Sequence, residues 1–250
     1  MIDNFRIGRR GLLGGMAGAA ALGLASAANA QKPLVIGFIY VGPRDDYGYN
    51  QAHAEAAAVL KKMPGIKVVA PAFPADYRSL LKAAIADPNP VLFLEHKRTY
   101  RLIKQEIDGA PAESQIGRAR VTRRGGDLTI FAYGLMLHES LAAAGTLSSE
   151  GIEATVVDLL TLNPIDRETI LEAAKATGKV LIVHEDVLTG GLGGEISAII
   201  AEHAFEYLDA PIRRVAAPDI PAMPYHHAME DFFMPNRDKI AAAARELAAY

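Results

Sequence analysis

Apolar runs and mixed helical stretches alternate along this chain in a strand-then-helix rhythm. Leu34–Val41 is a continuous β-rich run, followed by Gly42-Pro43 and a polar turn, and it predicts a buried strand. An Ala-rich stretch from Asn50 to Lys62 predicts a helix, stopped by Pro64-Gly65, after which Ile66–Val69 opens a second strand. Helix Asp76–Ala86 and strand Val91–Leu94 follow, and then a charged, irregular stretch to about Gln115 reads as a linker. Beyond it the rhythm resumes, with strands Leu128–Tyr133, Ala154–Leu159, Lys179–His184 and Ile212–Ala216. These alternate with helices Leu135–Ser149, Arg167–Thr177, Glu195–Tyr207 and Arg237–Ala249. Such alternation predicts an α/β fold, a mostly parallel sheet with helices on both faces.

The first thirty residues break this rhythm. Arg6, Arg9 and Arg10 precede a Gly/Ala/Leu run that closes on Ala28-Asn29-Ala30, the layout of a cleaved export signal. Ile7-Gly8-Arg9-Arg10-Gly11-Leu12-Leu13 resembles a twin-arginine signal, with Gly8 where Ser or Thr is usual. A membrane anchor is the other reading, but a run so rich in Gly and Ala is weakly apolar and short of the ~20 residues a span needs. No membrane span is expected after cleavage.

Charge and composition narrow the chemistry. With 26 basic and 29 acidic residues the chain has no positive stripe for nucleic acid. The absence of cysteine excludes disulfides, thiolate nucleophiles and cysteine-ligated metal. Gly190-Gly191-Leu192-Gly193-Gly194 stands between a strand and a helix, where amides can cradle an anion, but its spacing fits neither the dinucleotide fingerprint nor the P-loop. A tight turn that lets the helix pack closely is the favoured reading. His184-Glu185-Asp186 ends a strand at the carboxyl edge, a usual place for functional groups, yet no nucleophile accompanies it. His226-His227 are adjacent and have no third ligand at a recognisable spacing. Ala84-Ile85-Ala86-Asp87-Pro88-Asn89 is an oxygen-rich turn that suits a hard cation and equally an ordinary helix stop.

Two family resemblances emerge. Pro64–Pro71, Leu80–Ile85, Asn89-Pro90, Phe93–Lys97 and Tyr100-Arg101 resemble the end of the pyrimidine-binding domain in beta subunits of 2-oxo acid dehydrogenase decarboxylases, of the branched-chain 2-oxoisovalerate or pyruvate type. Gly126–Ile130, Val157–Leu159, Thr161–Asp166, His184-Glu185, Leu188–Gly191, Glu195-Ile196, Ala210–Ile212 and Arg214-Val215 resemble the transketolase-type C-terminal domain of the same subunits. Leu160 stands where arginine is common. The likeness covers about three-quarters of the chain. Lys32–Pro43 and Asp46–Gln51 resemble the start of the basic-membrane-protein family of ABC-transporter substrate-binding proteins, exported proteins of nucleoside or purine type. The organisation expected is a signal at 1–30, a substrate-binding-protein-like strand and helix at 31–63, the end of a pyrimidine-binding-like domain plus linker at 64–115, and a transketolase C-terminal-like domain at 116–250. The domain before the last is therefore incomplete, and a seam is expected near 63–66.

The first resemblance implies a truncated, mosaic beta-type subunit of a thiamine-diphosphate-dependent enzyme that decarboxylates a 2-oxo acid oxidatively and transfers the acyl group to lipoyl. It implies thiamine diphosphate and magnesium held jointly with a partner, an alpha subunit in a heterotetramer, and docking to a lipoyl acyltransferase core, with Tyr250 near the end that contacts it. It aligns Ala84, Ile85, Asp87 and Asn89 with a structural potassium site. It supplies no catalytic residue, because the family's aminopyrimidine-contacting glutamate and active-site histidine fall upstream of the stretch that carries the likeness. The chain alone is thus expected to be inactive, to act in subunit assembly and to dimerise. The second resemblance implies an exported ligand-binding protein, and a non-catalytic interaction module is a third reading. Localisation divides accordingly, periplasmic if the signal is used and cytoplasmic if the chain serves a dehydrogenase complex.

Overall fold

The structure is a computed structural model that describes residues 65–107, 114–220 and 224–250. The expected signal at 1–30 and the strand and helix at 31–63 lie outside the described residues. Every described residue belongs to one compact unit.

Among the described residues eight strands form two sheets: β1 (Lys67–Val69), β2 (Val91–Phe93), β3 (Arg120–Arg123), β4 (Leu128–Ala132), β5 (Ala154–Asp158), β6 (Thr161–Asn163), β7 (Val180–Val187) and β8 (Arg213–Ala217). The larger sheet runs β3-β5-β4-β7-β8. Its last four members are mutually parallel and β3 is an antiparallel edge. All five residues of β4 and of β5 are buried, as expected where helices cover both faces of a parallel sheet.

One face carries α3 (Leu135–Ser149) and α7 (Arg237–Ala248); the other carries α4 (Arg167–Thr177) and α5 (Leu192–His203). Helical spacing sets each buried stripe: Ile240, Ala241, Ala244 and Leu247 point α7 inward against α3 and the sheet. Ends are fixed by side chains. Asp166 caps α4 by accepting from the Thr169 amide at 3.1 Å, and Gly178 at φ +67° closes the same helix in the left-handed region. Asn236 caps α7 in the same way, from the Lys239 amide at 3.0 Å.

The smaller sheet runs β2-β1-β6, with β1 and β2 parallel and β6 antiparallel to β1. Strand β6 lies beyond the boundary expected near 115, yet it completes the sheet of the preceding segment. Helix α1 (Pro74–Ala86) packs there through Leu80, which joins Val69 and Leu160 in a small apolar core. It opens two residues earlier than the pattern indicated, because a proline suits the first helical position. The short helices α2 (Thr99–Leu102) and α6 (His227–Phe233) complete the set. No helix among the described residues is long and apolar enough to cross a membrane.

Candidate functional site

In the order β5-β4-β7-β8 the chain moves from β4 to β5 on one side and then to β7 on the other. The carboxyl ends of β4 and β7 therefore flank the switch point at which open α/β sheets place ligands. Tyr133 follows β4 there, and His184, Glu185 and Asp186 lie in the second half of β7, which runs to Val187, three residues past the end the pattern indicated. His96 comes in from the segment after β2, its Nε2 3.0 Å from the Glu185 carboxylate.

Burial sets the protonation of these groups. It pushes the Tyr133 phenol up to about 12, and the carboxylates of Asp186 and then Glu185 add to the effect, so the hydroxyl keeps its proton. It also holds the His184 imidazole below its ordinary value, against the Asp186 charge and backbone, which favour the charged form. His184 is 1% exposed, and neither ring nitrogen reaches a partner with hydrogen-bond geometry. The edge thus offers hydrogen-bonding groups held neutral, flanked by the half-buried Glu185 and the exposed Asp186 carboxylates.

Two of the four glycines in the run, Gly191 and Gly193, face that histidine. A Cβ on Gly191 would lie 2.6 Å from His184 Cε1, and one on Gly193 would overlap Nε2, so both positions need glycine for α5 to seat on β7. This supports the tight-turn reading. His226 precedes α6 and His227 opens it with an exposed side chain. No group of three or more His, Asp or Glu side chains able to hold a metal occurs among the described residues.

Ala84 and Ile85 occupy the last turn of α1, Asp87 is its C-cap, and Asn89 follows in the turn before β2. All four therefore lie close together along the chain. The Asp87 carboxylate is already engaged: one oxygen accepts from the Lys67 ammonium, the other from the Asn89 amide at 2.9 Å and its Nδ2 at 3.1 Å. Any further cation would meet main-chain carbonyls, the groups a helix end leaves free.

Sequence reasoning missed a second charged centre, at the carboxyl end of β5 beside the antiparallel edge strand β3. Arg120 of β3 grips Asp76 of α1 with two bonds, 2.8 and 2.6 Å, and reaches Asp158 at the end of β5 at 3.3 Å. Ser114 Oγ also donates to Asp76, and the guanidinium carbon stands 5.5 Å from the centre of the Phe73 ring. The available signal was Asp158 itself, a carboxylate closing a fully buried strand.

Comparison with known proteins gives this geometry a family. The transketolase C-terminal domain family matches residues 117–240, and the transketolase pyrimidine-binding domain family matches residues 16–103. The fold and the first match define residues 117–240 as a domain of the transketolase C-terminal class. The proteins that the chain resembles in particular are beta subunits of 2-oxo acid dehydrogenases. It is 50% identical over 218 residues to the 2-oxoisovalerate dehydrogenase subunit beta of Bacillus subtilis, covering 87% of this chain and 66% of that one. It is 40% identical over 198 residues to the pyruvate dehydrogenase E1 component subunit beta of the same organism, covering 79% and 60%. Among solved structures, a split gene transketolase described as an inactive beta4 tetramer superimposes with a TM-score of 0.62 at 30% identity, over 78% of this chain and 61% of that one. The chain thus spans 66% or less of the length of each of these three. The pyrimidine-binding match begins upstream of the seam expected near 63–66, and none of these relatives supports the substrate-binding-protein reading.

Proposed function

We propose that this chain is a beta-type subunit of a thiamine-diphosphate-dependent 2-oxo acid dehydrogenase, working in subunit assembly with an alpha subunit and docking a lipoyl acyltransferase core. The observation that carries this reading is the 50% identity to a 2-oxoisovalerate dehydrogenase beta subunit, which also favours a branched-chain 2-oxo acid. A second observation supports association. Ile85, Leu92 and Leu102 are 79%, 53% and 57% exposed on α1, β2 and α2, and exposed apolar groups gathered on one small segment suit a partner surface.

Thiamine diphosphate with magnesium would be held jointly with the partner. The described residues contain no cluster of acidic ligands for the metal, so no catalytic step is assigned to them. Potassium, if bound, would take the main-chain carbonyls of Ala84, Ile85, Asp87 and Asn89, and a melting temperature raised by potassium but not by sodium would reveal it. The division into an end of a pyrimidine-binding-like domain at 64–115 and a C-terminal domain at 116–250 belongs to the same proposal.

The test is co-expression of the full chain with an alpha subunit of the branched-chain type, followed by size-exclusion chromatography and a 2-oxo acid decarboxylation assay. A stable complex is expected, with no turnover by the chain alone. Failure to form any complex overturns the proposal, and turnover by the isolated chain overturns the assembly role.

A further inference from the structure

Two carboxylates and a single guanidinium meet where residues 65–107 pack on the C-terminal domain. Asp76 comes from α1, Arg120 from β3 and Asp158 from β5; Asp76 is 1% exposed and Asp158 is fully buried. Arg120 commits both terminal nitrogens to Asp76 and makes one longer contact with Asp158. The Leu160 amide also donates to Asp158, at 3.2 Å, from a residue held at φ +52°. One positive charge cannot balance two buried negative ones, so one carboxylate must be neutral or be stabilised by moving apart from the other. Asp158, with the single longer contact, is that carboxylate.

We infer that Asp76, Arg120 and Asp158 form a proton-dependent clasp between residues 65–107 and the C-terminal domain, held most firmly when Asp158 is protonated. The charged groups acting on Asp158 are Arg120 from β3 and Asp76 from α1, and the Leu160 amide acts from the end of its own strand. Burial raises the Asp158 carboxyl from its ordinary 3.8 to about 7, Arg120 opposes the rise, and Asp76 adds to it. An acid with a raised value in the closed state binds its proton more tightly there than when exposed. Closure is therefore favoured in mild acid, and the advantage falls as pH rises from the exposed value to the closed one, after which it is constant.

Hydrogen exchange of the full chain from about pH 5 to about pH 9, corrected for the intrinsic pH dependence of exchange, tests this. Amides of β4 and β7 serve as the internal reference. In β1, β2 and α1 the opening equilibrium is expected to rise roughly tenfold per pH unit up to about pH 7 and then to level off. In Asp158→Asn that slope disappears. A flat profile in the unaltered chain, or the same slope in Asp158→Asn, overturns the clasp. Should the variant fail to fold, carboxyl-carbon NMR of the unaltered chain decides. One aspartate titrating near neutrality supports the clasp, whereas all of them titrating in the ordinary acid range overturns it.

Discussion

The two ends of α1 hold an aspartate against a cation with different neighbours. Near the amino end the buried Asp76 and Asp158 share the half-buried Arg120, while at the carboxyl end the half-buried Asp87 meets Lys67 and two donors of Asn89. At the first end desolvation dominates, and it drives Asp158 toward its neutral form although an arginine stands beside it. At the second end hydrogen bonding dominates: the Lys67 ammonium first, and then the Asn89 amide, hold the Asp87 carboxyl below its ordinary value. The same side chain beside the same sign of charge thus shifts in opposite directions, and the balance of desolvation against hydrogen bonding decides which.

The largest effect should come from removing the cation at the buried end. Arg120→Met leaves two carboxylates facing each other in the protein interior, and loss of one partner of a buried pair costs about 3–5 kcal/mol. The side chain of Arg120 is 38% exposed, so the lower figure is expected in urea unfolding at neutral pH. Much of that loss should be recovered at mildly acidic pH, where the carboxylates regain protons. If the deficit is the same at both pH values, the buried end is not governed by its charges.

A smaller effect isolates the neutral donor. Ser114→Ala removes the hydroxyl bond to Asp76 and leaves the two bonds from Arg120 in place. A hydrogen bond to a charged acceptor contributes roughly 1.5–3 kcal/mol, and a carboxylate that keeps two others should sit at the bottom of that range. A loss as large as that of Arg120→Met would mean that Ser114, not the arginine, organises this end.

Much of the larger sheet was legible because its strands are continuous apolar runs. Leu128–Ala132 and Ala154–Asp158 are buried on both faces, and such strands mark themselves in the sequence. The missed strands are those that periodicity cannot mark. Arg120–Arg123 is a four-residue edge strand with an arginine at each end, and Thr161–Asn163 is three residues whose partner lies nearly a hundred positions earlier. The glycine run was correctly read as a turn, yet its cause, the ring of His184 against Gly191 and Gly193, is a contact between elements. The clasp was invisible for the same reason, since Asp76, Arg120 and Asp158 meet only after both sheets have formed. By contrast, Asp87 and Asn89 were legible together, because two residues of separation keep them in one turn.

The smallest predicted effect is the one at the carboxyl end of α1, and its pH dependence has the opposite sign. Asp87 has a depressed folded value, so its contribution is present above the ordinary 3.8 and is lost as pH falls through the lowered value. Lys67→Met removes the largest cause of that depression. The variant should therefore melt slightly below the unaltered chain at neutral pH, and the two should converge on acidification as both carboxylates become protonated. Asp87 keeps both bonds from Asn89 in the variant and no second carboxylate faces it, so the neutral-pH gap should be far smaller than that of Arg120→Met. Melting temperatures of the two chains across the acid range decide the matter. A gap that widens toward acid would mean that Lys67 acts through packing of its alkyl stem against β1 and β2, and the contrast between the two ends of α1 would then no longer be one of electrostatics alone.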